Sequence, residues 1–173
     1  MTKMRLTAFP IIIIAFIITL ASCRRDDIEH QNQYMKTNIV MSGAQEVPAN
    51  PSSAIGSMDV SYSRLSRVLS YTVRWQNLTD SLSLMHIHGM APVGFNASPV
   101  QNIVAPGATG TATIFPQKTG TRFTYTKNGT ITATLFIDGV AIKEADLLNA
   151  MYYVNIHTTA YSGGEIRGQI KFE

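Results

Sequence analysis

The stretch SLMHIHGMAPVG, residues 83–94, sets His86 and His88 two residues apart in a strand-like run and then breaks into a loop bearing glycine and proline. Successive side chains on a strand leave opposite faces, so the two imidazoles point one way and Met85 and Ile87 the other. A third imidazole, His157, lies in YYVNIHT; the fourth and last, His30, lies in a polar stretch near the N-terminus. If the strands bearing His86, His88 and His157 are neighbours, three neutral imidazole nitrogens converge. That set suits zinc or copper, and the thioether of Met90, two residues beyond His88, would favour copper. A structural use competes with the metal, because a buried histidine bonded to a carbonyl or carboxylate can hold the edge of a sandwich. Asn155 shares the face of His157 and is placed to orient it. Glu165 and Arg167, as i and i+2, share a face opposite Ile166 and Ile170, either as ion-pair partners for another strand or as half of a binding site. No Ser-His-Asp order with a nucleophile elbow, no phosphate-cradling glycine loop and no second cysteine for a catalytic thiol is present. The expectation leans away from an enzyme and from any cofactor, with copper at His86, His88 and His157 as the alternative.

The elements that would carry these residues read as strands. From Asn38 onward the apolar pattern has period two. Gly56, Met58, Val60 and Tyr62 alternate with Ser57, Asp59, Ser61 and Ser63, and Leu69, Tyr71, Val73 and Trp75 alternate with Ser70, Thr72 and Arg74. Residues 82–88, 111–115 and 122–127 continue the series. Asn128-Gly129 is a hairpin signal leading into TITATLFI. One short helix is expected over 141–150, where Ile142, Ala145 and Leu148 share a face. YYVNIHT and EIRGQIKF close the chain as two strands joined by a Ser- and Gly-bearing loop. Short strands with frequent turns and hardly any helix imply an all-β fold: a single immunoglobulin-like or Greek-key β-sandwich with one short helix, with a barrel as the alternative.

At 173 residues, 45% hydrophobic and 14% charged, the chain has room for one domain plus an appendage. The appendage is N-terminal: Lys3 and Arg5 precede the apolar run IIIIAFIITL, which ends at Leu-Ala-Ser-Cys. A basic start, an apolar core too short for a spanning helix and small residues before a cut describe a secretory signal over residues 1–22. Cys23, the only cysteine, then looks like the lipid-bearing residue of a bacterial lipobox. Residues 23–36 read as a polar tether, and 37–173 as the domain. The 14 basic residues include the leader's two, which leaves 12 against 11 acidic, a net of +1. No basic stripe with interleaved aromatics appears, so nucleic acid is not an expected partner. The expected partners are the membrane, through lipid on Cys23, and an envelope protein or glycan.

Two resemblances follow from particular residues. Arg24, Arg25, Asp26 and Asp27, just after Cys23, resemble the surface-export signal of Bacteroidetes lipoproteins, which implies a cell-envelope protein anchored in the outer membrane and open to surface display. MSGAQEVPAN, MHIHGMAPVGFN, EADLLNA and MYYVNIHTTAYSGGEIRGQI, in that order, resemble the CHRD (chordin-like) domain. That family implies an extracytoplasmic β-sandwich and assigns no reaction. His86, His88, His157 and Arg167 also resemble part of the copper-zinc superoxide dismutase pattern and its sandwich. The bridging and zinc-ligating residues of that family have no counterpart here, so a two-metal site is ruled out by the number of histidines.

Overall fold

The structure is a computed structural model of the chain, and it describes residues 32–104 and 127–172. Eight strands form one continuous hydrogen-bonded sheet: β1 (Gln33–Ser42), β2 (Ile55–Ser63), β3 (Val68–Gln76), β4 (Leu82–Gly89), β5 (Pro99–Val104), β6 (Gly129–Phe136), β7 (Tyr152–Thr158) and β8 (Ile166–Gln169). Their order across the sheet is β5-β4-β7-β8-β1-β2-β3-β6. The pairings β5/β4, β4/β7, β7/β8, β8/β1, β2/β3 and β3/β6 are antiparallel. The sheet curls on itself, so that the β2/β3 and β4/β7/β8 regions share one apolar core, and the molecule is an all-β sandwich.

The alternation read from the sequence builds that core. Met58, Val60 and Tyr62 from β2 and Leu69, Tyr71, Val73 and Trp75 from β3 are buried. They meet Met85 and Ile87 from β4, Val154 and Ile156 from β7, and Ile166 from β8. Burying each such side chain contributes roughly 1.5–3 kcal/mol of transfer free energy, so two faces reading in phase suffice to close a sandwich. Asn128 and Gly129 stand where the hairpin signal placed them, at the entry to β6.

Two expectations need adjusting, and one strand is new. β1 already begins at Gln33, inside the stretch expected as tether, because Tyr34 packs on Tyr62 and Phe172. The helix α1 is a single turn, Glu144–Leu148. Asp138 accepts bonds from the amides of Val140, Ala141 and Ile142, which spends the segment before it on a turn. Within the helix Leu147 is buried and Ala145 is exposed, while Ile142 is buried in the turn before it. β5 was not marked by alternation; it opens on Pro99, which an outer strand tolerates at its first position. The strand expected at 111–115, and all but Lys127 of that expected at 122–127, lie outside the described residues, as do the leader and Cys23.

Candidate functional site

β4, β7 and β8 lie side by side, and β7 is buried along its whole length, on both faces. Tyr152, Val154 and Ile156 enter the apolar core, which leaves Tyr153, Asn155 and His157 on the opposite face. Register brings their neighbours alongside: His88 opposes Tyr153, His86 opposes Asn155, and on the other side Arg167 opposes Asn155 and Gln169 opposes Tyr153. The sheet thus carries a second, polar interior of His86, His88, Tyr153, Asn155, His157, Arg167 and Gln169.

Two loops cover it, each held by the sheet's polar groups. Over residues 90–98, Arg167 donates to Phe95 O at 2.8 Å and Asn96 Oδ1 at 3.2 Å. Gln169 donates to Ala91 O at 3.0 Å, and Tyr153 Oη accepts from Ala97 N at 3.2 Å. The Arg167 guanidinium sits 3.4 Å from the centroid of the Tyr153 ring, and His88 stacks on that ring at 4.8 Å and 8°. Over residues 43–50, Glu46 is buried, and Asn50 donates to the carbonyls of Gly164 and Glu165. Gly164, at φ +127°, is needed here: a Cβ would lie 2.6 Å from a Glu46 carboxylate oxygen and 2.7 Å from Asn155 Nδ2.

The three histidines come together as their spacing suggested. One ring nitrogen from each lies within 4.8 Å of the others. His86 Nδ1 is 3.2 Å from His157 Nε2. Carbonyl oxygens only accept, so His88 Nδ1 donates to Ala97 O at 2.8 Å and His157 Nδ1 donates to Ser162 O at 2.9 Å. That leaves Nε2 of both rings as an acceptor. His157 Nε2 accepts from His86 Nδ1, whereas His88 Nε2 is buried with no partner in hydrogen-bond geometry among the described residues. Burial, reinforced by the neighbouring His157 and His88, pulls His86 down to about 4. Burial likewise lowers His88 and His157, so all three rings are neutral at pH 7.

The remaining residues separate. Glu165 does not join Arg167. Its carboxylate accepts from Ser52 Oγ, Thr79 N, Thr79 Oγ1 and Thr158 Oγ1, and it ties the segments before β2 and β4 to the end of β7. Arg167 is 2% exposed and spends its N–H groups on Phe95, Asn96 and Gln169 rather than on a cross-strand carboxylate. The acid whose charge it feels is Glu46, pushed up to about 7 by burial against the pull of Arg167. Asn155 does not orient His157, which is held by Ser162; it lies beside Glu46 and His88, its Oδ1 buried and unpartnered. Met90 is exposed. The site residues that sequence reasoning missed are Glu46, Tyr153 and Gln169. All three stood inside quoted motifs but could be assigned only once the loop and the sheet face had met.

A curled antiparallel sandwich with a rigid, loop-capped polar face defines a binding or structural module. The family model of the CHRD domain matches residues 37–170, and the chain belongs to that family. Neither a curated protein nor a solved structure matches the chain.

Proposed function

We propose that this protein is a lipid-anchored component of the cell envelope whose CHRD sandwich serves as a non-enzymatic binding module, presenting the 90–98 loop to a protein partner. The observation that carries this reading is how the buried polar groups are used: Arg167, Gln169, Tyr153 and His88 all bond the backbone or side chains of that loop. A loop held this way loses little entropy on binding. It displays Met90, Val93 and Phe95 at 53%, 72% and 64% exposure, and Val93 lines an open groove with Val40, itself 59% exposed. Apolar side chains held out by a rigid loop are the surface a protein partner buries. The basic start, apolar core and Leu-Ala-Ser-Cys of the N-terminus support the anchor at Cys23, and Arg24 to Asp27 support an outer-membrane, surface-facing location.

The test is a photoreactive residue placed at Val93 or Phe95 of the full chain in cells, with exposed Thr130 on β6 as control. Discrete adducts at Val93 and Phe95, absent at Thr130, are expected. Adducts nowhere, or equally at Thr130, would refute the binding surface.

A further inference from the structure

We propose that His86, His88 and His157 form a mononuclear transition-metal site that takes copper or zinc through one ring nitrogen of each imidazole. The inference stands apart from the partner reading, since it concerns the buried face and not the loop displayed above it.

Distance is the first ground. With metal–nitrogen bonds of about 2.0–2.1 Å, tetrahedral ligand nitrogens lie roughly 3.4 Å apart. His86 Nδ1 and His157 Nε2 are already 3.2 Å apart, and one ring nitrogen from each of the three histidines lies within 4.8 Å of the others, close to that spacing. Orientation is the second. Metal-binding histidines characteristically give their other N–H to a carbonyl or carboxylate, which fixes tautomer and ring plane. His88 and His157 do so, to Ala97 and Ser162. The third ground is the unpaired acceptor. A structural triad would use its nitrogens on one another, yet among the described residues His88 Nε2 is buried with only the Asn155 side chain beside it and no partner in hydrogen-bond geometry, a cost that an ion removes.

The donor set decides the class of ion. Among the described residues no carboxylate or thiolate joins the cluster, which disfavours magnesium and calcium; imidazoles suit zinc and copper, with copper(II) the tighter by the Irving–Williams order.

The full lipidated chain in detergent, loaded with Cu(II) or Zn(II) and dialysed against a chelator, should retain one ion per chain by metal analysis. The copper form should show nitrogen hyperfine structure in its electron paramagnetic resonance spectrum, altered when the histidines carry nitrogen-15. His86→Gln and His157→Gln should each weaken binding by more than the about 100-fold that loss of a group behind a ligand costs, with the β-sheet circular dichroism unchanged. His30→Gln should leave binding intact. No stoichiometric ion in the wild type, or retention of the ion by the His86→Gln/His157→Gln double variant, overturns the proposal. Should the variants not fold, the nitrogen-15 spectrum of the wild type decides: copper without nitrogen coupling overturns it equally.

Discussion

Glu165 shows how much one buried carboxylate can organise. Burial pushes its pKa up, but the bonds from Thr158, Thr79 and Ser52 outweigh that and hold it below its ordinary value of 4.5. Because the folded pKa is depressed, the stabilisation is fully present above the unfolded value and is lost as pH falls through the folded one. Thermal melts of the wild type should therefore lose stability steeply below about pH 4.5. Glu165→Gln, which cannot ionise and turns an amide toward donors, should cost roughly 1–3 kcal/mol at pH 7 and flatten that acid limb. A Glu165→Gln melt with the wild-type value and slope would show that the four bonds contribute nothing. The sequence marked Glu165 as a polar residue in an apolar strand, but strict alternation grouped it with Arg167. It stands just before β8, where its N–H bonds Ile156 O and its carboxylate bonds Thr158 at the end of β7, so the alternation within β8 does not extend to it.

At the scale of elements, the strands that share the core were readable and the boundaries were not. β2 and β3 follow alternation, since one face must be apolar along its whole length to be buried. β5 and the early start of β1 escaped notice because their stability comes from contacts with distant residues. The β3/β6 pairing carries its own check. Trp75 opposes Gly129, and a Cβ on Gly129 would collide with the Trp75 indole. Gly129→Ala must therefore displace a fully packed ring, at a cost of about 1–3 kcal/mol. The lowered melting temperature should come with a red shift of Trp75 fluorescence; a variant melting like the wild type with unchanged emission would put Trp75 elsewhere.

For the whole molecule, attachment is the open physical question. Among the described residues no helix is long and apolar enough to cross a membrane. If lipid on Cys23 supplies the anchor, as the N-terminal pattern implies, attachment rests on acyl chains, each buried methylene contributing about 0.8 kcal/mol. Cys23→Ser should then move the protein out of the carbonate-resistant membrane fraction while the sandwich keeps its circular dichroism. A Cys23→Ser chain that stays in the membrane would contradict a lipid anchor.

What the sequence determined by itself was the class of fold, the core faces of β2 and β3, the family, and which histidines share a face, because period two is a local property of the backbone. It did not contain the meeting of those histidines across β4 and β7, nor the loops that make an outer sheet face into a second interior. Glu46 reaches Arg167 and Asn155 from more than a hundred residues away along the chain, and His88 is fixed through its Nδ1 by Ala97 of the 90–98 loop. Such contacts depend on which strands become neighbours and how their loops pack, and curling of the sheet decides both.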